Sequence, residues 1–173
     1  MPELTTLLGH SLEETVAVLD KVNDPVTAFA YISTPTKTTI GTVDTWHFFA
    51  STFTNQIASN VSGGTYGIQI DKDCRVEIEF EVHGIADSTG EVVTGIVKNP
   101  TFVDGALTAG TFLDGSNGAF EADTQGTTAG FGSMHSLWAG DLVDGDEIVL
   151  CVQSDVSNGF TPHAGAATLH QII

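Results

Sequence analysis

Residues 75–83, RVEIEFEVH, alternate without exception between apolar and polar side chains. Val76, Ile78, Phe80 and Val82 point one way, and Arg75, Glu77, Glu79, Glu81 and His83 the other. A period of two is the signature of a strand with one face in a core and one in water. From Val26 onward the rest of the chain agrees: Thr, Val and Ile are abundant and Gly clusters punctuate short runs. Candidate strands are 27–33, 46–52, 66–70, 75–83, 90–98, 119–124, 131–137, 147–153 and 166–172. Residues 147–152, EIVLCV, are nearly all apolar and predict a central strand covered on both faces. The pattern predicts an all-β, two-sheet antiparallel jelly-roll sandwich over 26–173. The segment 99–118 is either paired strands or a long loop.

Residues 1–25 predict a separate N-terminal arm with a short helix or an extended course. Ser11 fits an N-cap and Glu14 the third position of a capping box. Leu12, Val16 and Leu19 fall on one helical stripe before Asn23-Asp24-Pro25 ends it. A helix this short is marginal alone and must dock on its own domain or on a partner. The arm lacks the basic and long apolar regions of a signal peptide or membrane helix, so synthesis in the cytoplasm is expected.

Charge sets the partner class. Of 173 residues, 22 are Asp or Glu and 5 are Lys or Arg, a formal charge of −17. Arg75 is the single arginine, and no Lys or Arg follows Lys98. Nucleic acids and anionic membranes should repel such a chain, so neither is an expected partner. The acidic residues are dispersed rather than gathered in a disordered tail, which reads as a solvated acidic surface.

The residues that might carry chemistry do not converge. Six histidines, at 10, 47, 83, 135, 163 and 170, show neither HxH nor HxxxH spacing. Asp141, Asp144, Asp146 and Glu147 fail the order of a calcium loop and read as an Asp-Gly turn feeding a strand. Gly132-Ser-Met-His-Ser136 is not a nucleophile elbow. Cys74 and Cys151 lie in strand-like runs and read as buried free thiols, a disulfide being the alternative. Trp46, Phe48, Phe49 and Trp138 suit a core or a subunit contact, with sugar stacking as the alternative. Catalytic residues, metal ligands and cofactors are therefore not expected, and the chain is not read as an enzyme.

The stretch from Tyr66 to the C-terminus resembles the jelly roll of tumour necrosis factor and the complement-type globular head. Residues 67–82 resemble its extended strand, with Asp73 where that family has Gly. Residues 96–99, IVKN, resemble a strand ending in a Lys-Asn turn, and 136–152 its G-D-x-h-x-h passage, where h is apolar. Residues 166–173 resemble the closing strand. The resemblance implies a homotrimer with Phe29, Tyr31, Leu169 and Ile172 near its axis. An acidic trimer with a short arm is similar to the decoration (cement) proteins of tailed-bacteriophage heads. That likeness implies a virion protein on the capsid surface, bound to the major capsid protein through Leu7, Leu8, Leu12, Val16 and Leu19. The alternative it implies is a receptor-binding knob of a tail fibre, using loops at 101–118 and 155–165.

Overall fold

A computed structural model describes Val16, Leu19 and residues 24–172, apart from Ser88, Asp114, Ser116, Asn117, 123–130 and Ser157. The described chain from Thr27 onward is two packed antiparallel sheets, as the alternation predicts. Thirteen strands run in order among the described residues: β1 (Thr27–Thr34), β2 (Thr38–Ile40), β3 (His47–Phe48), β4 (Thr52–Ser59), β5 (Val61–Gly63), β6 (Ile68–Ile70) and β7 (Cys74–Ala86). They continue with β8 (Gly90–Val103), β9 (Ala106–Phe112), β10 (Gly118–Ala122), β11 (Phe131–Leu142), β12 (Glu147–Ser154) and β13 (Asn158–Gln171). The first sheet has the order β11-β7-β13-β1-β4, with β2 paired to the start of β13. The second runs β10-β8-β9-β3-β12-β6-β5, closed further by a β8–β12 pairing.

The inner faces of both sheets make one core. Val76, Ile78, Phe80 and Val82 of β7 pack there with Ala28 and Ala30 of β1, Leu169 of β13 and Ile148, Leu150 and Val152 of β12. One buried hydrogen bond joins the layers, between the hydroxyls of Thr94 on β8 and Ser136 on β11 at 2.8 Å. The expected central strand at 147–153 is β12, and its outer side is also covered. There Val97, Val149 and Cys151 lie under Trp46, Phe48, Phe102, Leu107 and Phe112.

The β8–β9 hairpin supplies part of that cover and resolves the 99–118 segment largely as paired strands. Residues 96–99 do not end a strand. β8 runs on through an irregularity after Lys98, with Asn99 at φ 50°, and turns only at Asp104-Gly105. Both turn residues have positive φ, 51° and 81°, the geometry of a two-residue hairpin loop.

The acidic cluster in 141–147 is a structural turn. Asp146 is buried and its carboxylate accepts from the backbone N–H of Val143 at 3.0 Å, from Asn99 Nδ2 at 2.8 Å and from Lys98 Nζ at 3.4 Å. Burial pushes its pKa up, but the Val143 and Asn99 hydrogen bonds and the Lys98 charge outweigh that and hold it below the usual carboxylate value. Its backbone carbonyl accepts from Ile70 N–H at 2.9 Å. One residue therefore ties the β11–β12 turn to β8 and β6.

Candidate interaction face

The first sheet has a second face, and this face carries the residues that the core does not use. Cross-strand register puts them in rows. Ile57, Phe29, Thr168, Glu79 and Leu137 form one row across β4, β1, β13, β7 and β11. Thr54, Tyr31, Ala166, Glu81 and His135 form the next. Ser59, Thr27, His170, Glu77 and Ala139 form a third. Within these rows Phe29 is 41% exposed, Tyr31 42%, Ile57 63% and Leu137 44%. Isolated exposed apolar residues are ordinary. Phe29, Tyr31 and Ile57 adjoin on β1 and β4 as an apolar band, and Leu137 stands across Thr168 and Glu79 on β11; such bands mark contact surfaces.

The band flanks a polar stripe. His135 Nε2 lies 2.6 Å from Glu79 Oε1, His83 Nε2 3.0 Å from Glu81 Oε1 and His170 Nε2 3.3 Å from Glu77 Oε1. Arg75 faces Asp141 at 3.6 Å at one end of the stripe. Thr168 adds a hydroxyl donor to Glu79 Oε2 at 3.4 Å. Each glutamate of β7 thus has its own histidine, and all three pairs sit on the surface beside apolar side chains.

Of the four residues expected at a trimer axis, Phe29 and Tyr31 stand on this face. Leu169 does not: it is 1% exposed and belongs to the core. The reason is the strand period, since Leu169 pairs with the inward-facing Ala28, whereas its neighbours Thr168 and His170 face out. Ile172 is half-buried beyond the end of β13, where its N–H donates to the Arg75 carbonyl at 2.8 Å. Ile57 completes the band, Leu137 stands beyond the stripe, and neither was anticipated from the sequence. In 131–137 the apolar Phe131, Met134 and Leu137 are three apart and show no period of two, and Ile57 lies in a polar strand, TFTNQIAS.

Leu7, Leu8 and Leu12 of the arm lie outside the described residues. Val16 and Leu19 are helical and more than half exposed. Where the arm joins the sandwich, Asn60 Nδ2 donates to Asp24 Oδ1 at 2.7 Å and Lys72 Nζ to the Asp24 carbonyl at 3.2 Å. The Asn60 amide, with Lys72 behind it, holds the Asp24 carboxyl below its usual value. The loops expected to meet a receptor are mostly strand: 101–112 lies in β8, its turn and β9, and 158–165 in β13.

The remaining candidates are structural. Cys74 and Cys151 are both free and buried. Burial pushes the Cys74 thiol up to about 11, helped by the charges of Asp73, Asp146 and Asp141, and the Cys151 thiol to about 12. Phe49 is in the main core and Trp138 packs against it, while Trp46 and Phe48 cover the second sheet. His47 is buried with its Nε2 unpartnered among the described residues. Among the described residues no three metal-ligating side chains come together.

The sheet order and register identify the architecture. No family model matches the chain, and no curated protein resembles it in sequence. Solved structures do. The chain is similar to the Eiger tumour necrosis factor of S. frugiperda, with a TM-score of 0.58 over 86% of this chain and 92% of that one, at 10% identity. It is similar also to murine APRIL, with a TM-score of 0.53 over 85% and 98% of the two chains, at 7% identity. The fold is a tumour-necrosis-factor-like jelly roll. At these identities the likeness concerns the fold, and the function must be argued from this chain's own surface.

Proposed function

We propose that this chain is a structural, non-enzymatic jelly roll that assembles as a homotrimer through the outer face of its first sheet and decorates a bacteriophage capsid. The observation that carries the reading is the apolar band of Phe29, Tyr31 and Ile57, with Leu137 across the glutamate stripe, open on the outer face of a five-strand path. A band of this kind is satisfied by a second copy of itself, and a closed ring of copies leaves none exposed. Val16 and Leu19 add apolar surface outside that face, which suits a different partner. In this reading the partner is the major capsid protein, and the arms of three chains bind the shell together. Weak single contacts then suffice, because the second and third arms bind at high effective concentration. Binding only the assembled shell stabilises it by mass action.

Co-sedimentation with coat-protein shells tests the assignment. The full chain should pellet with shells, and a Val16→Asp/Leu19→Asp variant should stay in the supernatant while keeping its oligomeric state. A full chain that ignores shells but is retained on host-cell glycans would replace decoration with receptor binding.

A further inference from the structure

The proposed contact face carries its own control. We propose that self-association through this face is strengthened by acid, with His83, His135 and His170 as the sensors; this rests on the trimer reading above. Among the described residues these titratable groups stand on the face, besides the Lys37–Asp87 ion pair beyond the end of β7. From β7 come Arg75, Glu77, Glu79, Glu81 and His83; from β11, His135 and Asp141; from β13, His170, with His163 in the bulge between Pro162 and Ala164. β1 supplies only Tyr31, and β4 none. Arg75 and Asp141 offset one another. What remains is three glutamates, each with one histidine at 2.6 to 3.3 Å.

In the single chain these pairs are solvated, so a carboxylate beside a neutral imidazole costs little. Docking the face against other copies removes that water. A carboxylate stripped of water needs a charged partner, and an imidazolium at hydrogen-bond distance supplies one. With neutral histidines the face carries a formal −3, from four carboxylates and one guanidinium, and the same charge on each neighbouring copy opposes contact. Protonating the three paired histidines cancels that charge, with His163 in the bulge standing outside the count.

Assembly therefore takes up protons, and an equilibrium that takes up protons moves toward product as pH falls. Histidine ordinarily titrates near pH 6.5, so the change belongs between about pH 7.5 and 5.5, where ordinary carboxylates stay ionised. An uptake of one proton per chain lowers the midpoint concentration of trimerisation about thirty-fold per pH unit, because three protons enter a constant with the dimension of concentration squared.

The experiment is a dilution series followed by mass photometry or sedimentation velocity on the full chain at pH 7.5 and 5.5 and constant ionic strength. The wild type should assemble at a midpoint at least about ten-fold lower at pH 5.5. The His83→Gln/His135→Gln/His170→Gln chain should still form trimers at high concentration, with a midpoint that no longer follows pH. A Glu77→Gln/Glu79→Gln/Glu81→Gln chain should be tight already at pH 7.5. A wild-type trimer whose midpoint ignores pH would overturn the sensor and leave the trimer intact. An undiminished acid shift in the triple His variant would also overturn it, by assigning the effect to the general acidity of the surface. A chain that stays monomeric at both pH values and every concentration would remove the trimer and the sensor together.

Discussion

Phe29 and Ile57 face each other across β1 and the edge strand β4 in the apolar band, and replacing both with Thr isolates what the band contributes. Threonine is a good strand residue, so the backbone has no reason to change. Fully burying a Phe or Ile side chain contributes about 1.5–3 kcal/mol. Phe29 is 41% exposed and Ile57 63%, so covering what remains is worth about 1 and about 1.5 kcal/mol. Three chains each lose both, which totals about 7 kcal/mol per trimer, or about five powers of ten in the association constant. The midpoint concentration moves by the square root of that factor, about 300-fold. The assay is a dilution series of wild type and Phe29→Thr/Ile57→Thr with molar mass as readout. In the single chain the already covered parts of both side chains are lost as well, so the isolated domain should lose about 2 kcal/mol of unfolding stability, and the midpoints are compared where both chains remain folded. A variant whose midpoint stays within about three-fold of wild type would show that the band is not the contact, because its removal would have cost under about 1 kcal/mol.

Four further outcomes follow from the interior. Asp146→Ala leaves Lys98, Asn99 and the Val143 N–H without their acceptor and should cost about 3–4 kcal/mol by denaturant unfolding; a loss below about 1 kcal/mol would refute its role as a clasp. Because the folded pKa of Asp146 is depressed, its stabilisation is present above the unfolded value near 3.9 and is lost as pH falls through the folded one, so Asp146→Asn should flatten the acid limb of a stability–pH profile. Thr94→Val or Ser136→Ala alone strands a buried hydroxyl and should cost about 1–3 kcal/mol, whereas the double substitution should cost less than the two singles summed; strict additivity would refute the inter-sheet bond. With their thiols raised to about 11 and about 12, Cys74 and Cys151 should resist alkylation at pH 8 until the chain is unfolded, and rapid native labelling of Cys151 would contradict its place beneath the aromatic cover.

Much of the sandwich is legible in the sequence because its long strands are half-buried. β7 reads out its own two faces, and β12 declares its double burial by an unbroken apolar run. The edges are not legible by the same rule. β4 lies at the end of the first sheet, and an irregularity in its pairing with Phe29 and Ala30 turns Phe53 to the core and Ile57 to the outer face, so its sequence carries no period. The first half of β13 hides behind Pro162, which a strand tolerates here because a bulge follows it opposite Gly84. β9 is exposed over 108–111, and its hairpin turn at Asp104-Gly105 was not read from the sequence, which left 99–118 open between strands and loop. The interaction face was half visible. Phe29 and Tyr31 could be placed from strand β1, but Leu169 was put on the outer side although the alternation after the bulge turns it inward with Ala167. The histidine–glutamate pairs come from three stretches of chain, and the register of β7 against β11 and β13 brings His135 and His170 to their glutamates.

The most direct test of the whole is the molar mass of the wild-type chain by sedimentation equilibrium across a wide concentration range at neutral and mildly acidic pH. Self-association through the outer face of the first sheet requires a species of three times 18.1 kDa that dissociates on dilution. A single species of 18.1 kDa at every concentration and pH would contradict it.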